Sequence, residues 1–156
     1  MCEYCGCQSL VSIDELTREH TAGLELIADA RVAALAGDHL GAGLLATELL
    51  VLLEPHTAVE EQALFPALAR EHPEHVAVLH AEHEQVHRVL ADVSSQAAAP
   101  GWAEAFVAAL QMLREHIFKE QDGLFPAALI ELSTPDWERI EAVRARVGSV
   151  LALTQR

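Results

Sequence analysis

Residues 56–66 read His-Thr-Ala-Val-Glu-Glu-Gln-Ala-Leu-Phe-Pro, and residues 116–126 read His-Ile-Phe-Lys-Glu-Gln-Asp-Gly-Leu-Phe-Pro. Each opens on a histidine, places a glutamate four residues later and closes on Leu-Phe-Pro. Positions i and i+4 share one face of a helix. His56 with Glu60, and His116 with Glu120, therefore each aim an imidazole and a carboxylate the same way. A Glu-His doublet precedes each stretch at similar distance, Glu19-His20 and Glu82-His83. The chain reads as one helical hairpin written twice. Two facing hairpins would bring these side chains to one point between four helices, which is how metal sites are built in helical bundles.

The rest of the composition agrees with helices. The chain has 156 residues, enough for one domain with a sizeable core, and only 4% are aromatic. Ala and Leu dominate its apolar half, which favours packed helices over sheets. A formal net charge of −14 leaves no basic patch for nucleic acid. It argues equally against anionic membranes. The longest apolar run, residues 40–53, carries Glu48 and is short for a membrane span. The N-terminus shows no charged-then-apolar signal pattern, so a cytoplasmic location is expected.

Along the chain, Ser12-Ile-Asp-Glu15 has the form of a capping box opening a first helix that runs to about Leu35. Gly37 suits its C-terminal end, and Asp38 suits the start of a second helix. That helix contains Pro55, which predicts a kink just before His56, and ends near Leu68 after Pro66. A third helix is expected over residues 74–95 and a flexible loop over 96–101. A fourth is expected over 102–121, with a kink or stop around Gly123 and Pro126. Ser133-Thr134-Pro135-Asp136 caps a fifth, which carries Ile140, Val143, Val147 and Val150 on one stripe. Short connections predict an all-α, up-down-up-down antiparallel four-helix bundle with an additional C-terminal helix. The domain is expected over residues 12–156, behind a tail of residues 1–11.

On these helices the candidate metal ligands are His20, then His56 with Glu60, then His83 with His87, then His116 with Glu120. Imidazole with carboxylate suits iron, zinc or manganese. Any one of these histidines alone would read as an ordinary polar residue; seven ligands at matched spacing do not. Two octahedral metals sharing both carboxylates and an oxo or hydroxo bridge would keep one position open, where a small oxidant could bind. Leu24 stands in helix one where His87 stands in helix three, so one metal should have three histidines and the other two. His39, His72 and His75 fall at predicted helix ends. His80, three residues before His83, reads as a non-ligand near the same face. Glu61 and Asp122 are expected to point elsewhere.

His20, H-T-A-V-E (56–60), H-E-Q-V-H (83–87) and H-I-F-K-E (116–120) resemble the hemerythrin-like HHE cation-binding family over roughly residues 12–130. The resemblance implies that His83, His87 and His116 hold one non-haem iron and His20 and His56 the other, bridged by Glu60 and Glu120. It also implies that Leu64, Phe65, Leu124 and Phe125 wall the site off from water. Oxygen-carrying hemerythrins end in H-x-x-x-x-D, whereas position 121 here is Gln. The chain resembles the H-x-x-x-E subgroup, which implies handling of a small oxidant (dioxygen, hydrogen peroxide or nitric oxide) rather than simple oxygen carriage. Catalase-like or reductase turnover is one expectation, with an unidentified electron donor. Oxygen sensing, or iron storage and transfer without turnover, is the alternative.

Cys2, Cys5 and Cys7 are the only cysteines. Three thiolates fall one short of a structural zinc site, so the tail reads either as a site for a further metal, as a redox pair or as an unstructured end.

Overall fold

Helix follows helix through the computed structural model, which describes residues 7–95 and 97–151. No strand occurs among the described residues. Helix α1 spans Cys7–Leu35 and α2 spans His39–Val59. A single π-turn, Glu60–Leu64, continues α2 into the short α3, Phe65–Leu68. After a tight connection come α4 (Pro73–Ser95) and α5 (Trp102–Lys119). A second π-turn, Glu120–Leu124, leads into α6 (Phe125–Glu131), and α7 covers Thr134–Val147. The four long rods form a ring: α1 packs on α2, α2 on α4, α4 on α5, and α5 closes back onto α1. Helix α7 lies outside the ring against α1, α2 and the first π-turn.

Several predicted boundaries hold. Asp38 and Gly37 close α1 with two reversed hydrogen bonds, Asp38 N to Ala33 O at 2.9 Å and Gly37 N to Ala34 O at 3.0 Å. Gly37 can do this because its φ is 70°. Asp38 then turns round and caps α2, its Oδ1 accepting from Gly41 N at 2.9 Å. At α7 the backbone N–H and hydroxyl of Ser133 donate to Asp136 Oδ2 at 3.0 and 2.8 Å. Arg70, just past α3, donates to the same oxygen at 2.7 Å and ties α7 to the end of the second rod.

Two expectations are corrected. The helix does not open at Ser12: α1 begins at Cys7, so Ser12 is a buried interior residue, and Ile13 beside it packs on the core around Leu16. Cys2 and Cys5 lie outside the described residues. Pro55 lies inside α2, as expected, and the α-helical stretch continues to Val59. The departure comes one turn later, at the two π-turns, each followed directly by Phe-Pro. A proline ring clashes with the carbonyl four residues back and offers no N–H. An extra residue in the preceding turn moves that carbonyl aside, which accounts for Pro66 and Pro126 being accommodated without a break. Finally, the second rod is longer than its apolar run suggests. His39–Leu68 is 30 residues and, by length and composition alone, long and apolar enough to cross a membrane. It packs within the ring by one face, burying Ala42, Ala46, Leu49, Leu52, His56 and Val59.

Two apolar cores lie in the ring. One gathers Leu16, Val59, Leu64, Phe65, Leu79, Leu124 and Phe125, with Trp137 and Ile140 from α7. The other gathers Ile27, Leu49, Val86, Leu90, Phe106, Leu113 and Ile117. On α1, α2 and α4 the imidazoles His20, His56 and His83 fall where the chain passes from one core to the other, and on α5 His116 comes one residue before Ile117, the last member of the second core. That polar layer is where a site can be built.

Candidate metal centre

Four rods each bring one imidazole to this layer: His20 from α1, His56 from α2, His83 from α4 and His116 from α5. Two carboxylates, Glu60 and Glu120, stand at the first positions of the two π-turns and are completely buried. The Nε2 atoms converge on them. His56 Nε2 is 3.1 Å and His83 Nε2 3.2 Å from Glu60; His20 and His116 Nε2 are each 2.9 Å from Glu120. The donors fall into two groups of four, His20–His56–Glu60–Glu120 and His83–His116–Glu60–Glu120, each with its ligand atoms within 4.8 Å of one another. Both glutamates belong to both groups.

The two halves are nearly superposable. The His20 and His56 rings lie 4.7 Å apart at 53°, the His83 and His116 rings 4.6 Å apart at 52°. Phe125 stacks on His20 and Phe65 on His83, both at 5.3 Å between centroids. Each Leu-Phe-Pro triplet thus lays its phenyl ring on a histidine of the other hairpin.

Every imidazole is held from behind through Nδ1. His56 donates to Glu19 at 2.7 Å and His116 to Glu82 at 3.1 Å. His83 donates to Glu61 at 2.9 Å and His20 to the Gln121 amide oxygen at 3.0 Å. A proton fixed on Nδ1 turns the other nitrogen inward, as a metal-ligating histidine requires. These four outer partners were not assigned from the sequence, although a signal was there. Glu19 and Glu82 are the first members of the repeated Glu-His doublets, and Glu61 and Gln121 each follow the shared glutamate in the repeat. The π-turn explains how neighbours 60 and 61, or 120 and 121, can both serve the centre: in one turn the backbone carries an extra residue and the usual divergence of about 100° per position no longer applies. The expectation that Glu61 points elsewhere is corrected accordingly. Asp122 is exposed.

His87 is the one candidate the structure leaves out of both groups. It is exposed on α4, one turn beyond His83, and lines the wall of a cavity of about 480 Å³. Leu24, its counterpart on α1, packs against the apolar core instead. His80 is half exposed, with Nδ1 3.0 Å from Glu61 Oε1, so it touches the outer partner of His83 and not the centre. His39, His72 and His75 lie at or near helix ends and in neither group.

The electrostatics ask for a cation. Burial works against charge on His56, yet the Glu60 charge and the Glu19 hydrogen bond outweigh it and raise its pKa to about 10. Burial likewise opposes charge on His83, but Glu60 and Glu120 raise its pKa to about 9. His116 is raised, against burial, by Glu120. Glu60 is pulled well below the carboxylate range, against complete burial, by His56 and His83. Protons on His56 and His83 thus neutralise Glu60, which could not otherwise stay charged in the interior. The compensation is incomplete in geometry. Both oxygens of Glu60, both of Glu120, and Nε2 of His20 and His116 are buried without a hydrogen-bond partner. Buried polar groups are nearly always satisfied. Orphaned oxygens and imidazole nitrogens aimed at one another are what a metal ion would satisfy, and the mixed donor set fits a divalent first-row metal.

A family model settles the relationship. The Hemerythrin HHE cation-binding domain matches residues 11–128. The chain belongs to that family. The match covers the two hairpins and ends before α7. No significantly similar protein was found among curated proteins, and none among solved structures.

Proposed function

We propose that this protein holds a pair of non-haem iron ions, with a bridging oxo or hydroxo group, and uses them to turn over a small oxidant, hydrogen peroxide first among dioxygen, peroxide and nitric oxide. The observation that carries the reading is the set of orphaned donor atoms shared between two four-ligand groups. His20 and His56 would serve one metal, His83 and His116 the other, and Glu60 and Glu120 both. The reading takes the long rods in up-down-up-down antiparallel order. The two apolar cores are met in alternating order along α1, α2, α4 and α5 with the π-turn that continues it, which supports the order. With His87 at the rim, each metal would have two imidazoles and its own open position.

Iron bound there would supply redox electrons and a Lewis-acid centre. The protein's own residues select and confine the ligand. Phe65 and Phe125 cover His83 and His20 and keep bulk water off those rings. The cavity reaches His56, His83 and His116 past Leu50, Val51, Leu53 and Leu90, a wall that admits small uncharged molecules. Glu54, Glu61 and Glu82 also line it and disfavour anions.

The test is to load the protein anaerobically with iron, record its absorption spectrum, expose it to oxygen and purge, and separately to supply peroxide. Steady peroxide consumption, with no recovery of the starting spectrum on purging, is expected. Full recovery on purging with no peroxide consumption would instead make this an oxygen-binding protein. Retention of zinc with no response to either oxidant would leave a structural metal site.

A further inference from the structure

The near-symmetry of the centre stops at the residues behind the histidines. His83 and His116 are both backed by carboxylates, Glu61 and Glu82. His20 is backed by a neutral amide, Gln121. His56 is backed by Glu19, but that carboxylate is occupied on its far side. The Arg144 guanidinium donates to Glu19 Oε1 at 2.7 Å and to Oε2 at 2.9 Å, a two-pronged pair, and the Ser149 hydroxyl donates to Oε1 at 2.7 Å. The Arg144 side chain is only 12% exposed. Glu82 also meets a cation, Lys119, but that side chain is 52% exposed, so water and salt screen its charge. Arg144 comes from α7, outside the repeated hairpins, and among the described residues no buried guanidinium pairs with Glu61 or Glu82 in the same way.

We propose that Arg144 is a positioning residue that makes the two metal positions unequal: by neutralising the carboxylate behind His56 it weakens that half, so the His83–His116 position takes the first metal and holds it more tightly. The inference rests on the metal-centre reading above. A carboxylate on Nδ1–H draws that proton towards itself and makes Nε2 a stronger donor. A guanidinium held in a fork against the same carboxylate withdraws that help. The His83–His116 half keeps two carboxylates whose own partners, Lys119 on Glu82 and His80 on Glu61, are both about half exposed. The His20–His56 half keeps an amide and a carboxylate already paired. Outer partners of this kind change metal affinity by about 10–100-fold.

Single-position variants measure the difference. His83→Ala leaves the His20–His56 pair and His20→Ala leaves the His83–His116 pair. Each is titrated with cobalt(II), followed by visible absorption against a competing chelator, after circular dichroism shows the helices intact. The His20→Ala protein is expected to hold its metal about tenfold more tightly than the His83→Ala protein. In the His83→Ala background, Arg144→Gln and Gln121→Glu are each expected to tighten binding, whereas Arg144→Lys, which keeps the cation, is not. The sign is decisive, because a merely structural role for Arg144 would only weaken binding when lost. Gln121→Glu leaves α7 untouched and keeps the test intact if Arg144→Gln loosens the fold. Equal affinities in the two single-position proteins, or no tightening in either charge variant, overturn the inference. Wild-type protein that takes up two equally held metals overturns this inference alone, whereas failure to take up any metal overturns the metal-centre reading with it.

Discussion

Glu60→Ala and Glu120→Ala are each expected to empty both metal positions, where a histidine change empties one. The reason is in the grouping: each glutamate belongs to both four-ligand sets, and each histidine to one. Elemental analysis after anaerobic iron loading should give close to two irons per chain for the wild type, about one for His20→Ala, and almost none for either glutamate variant. Stability should follow the metal. A ligand at about a thousand times its Kd stabilises the fold by about 4 kcal/mol. For a chain of this length that is about 8–16 °C in melting temperature. The loaded wild type should lose that margin on chelation, and Glu60→Ala should show no response to chelator. The metal-free melting temperature of Glu60→Ala should itself fall, because removing this carboxylate leaves the buried His56 and His83 without the charge they pair with. A Glu60→Ala protein that still binds one iron firmly would show that Glu60 serves one position only.

The sequence carried the inner half of this centre because repetition makes chance coincidence visible. His20, His56, Glu60, His83, His116 and Glu120 recur at matched spacing, and the helix period alone places i and i+4 on one face. The same period failed for His87. It sits four residues from His83 as Glu60 does from His56, yet α4 turns it to the rim. Spacing fixes a face of a helix, not how far round the bundle that face extends. The period also misjudged Glu61, because a π-turn is not written in hydrophobic pattern. It was foreshadowed only by Phe-Pro following the glutamate, a proline that a regular α-helix accommodates poorly. Arg144 was beyond reach altogether. It lies 125 residues from its partner Glu19, has no repeated counterpart, and its role depends on how α7 docks. Ser12 shows the reverse error: a local cap signal was overridden by burial of that residue within a longer helix.

The metal-free protein is expected to lose stability as pH rises from about 7 to 10, while metal uptake becomes tighter over the same range. The sign follows from the raised histidines. His56 and His83 have pKa values near 10 and 9 in the folded chain, against an ordinary 6.5. Below 6.5 both folded and unfolded chains carry these protons, and the stabilisation from pairing them with Glu60 is fully present. Above 6.5 the unfolded chain sheds them while the folded chain keeps them, so the folded state binds more protons and stability falls with pH. It is gone once pH passes about 10. A tenfold difference in proton affinity between the folded and unfolded chains is worth about 1.4 kcal/mol, so the loss amounts to several kcal/mol. At the acid end Glu19, lowered to about 2 against burial by His56 and Arg144, adds stability above the usual carboxylate range that is lost as pH falls through about 2. A metal takes the inward nitrogen of each histidine and must displace its proton, so uptake at pH 7 should release at least the two protons of His56 and His83. Affinity should rise about tenfold per pH unit for each proton displaced, up to the folded-state pKa. Thermal melts of chelated and loaded protein between pH 5 and 10, with proton release read by an indicator dye in weak buffer, test both halves. A chelated protein whose melting temperature is flat or rising between pH 7 and 9, with no protons released on loading, would mean that the imidazoles are already neutral and that Glu60 and Glu120 are held by something other than His56 and His83.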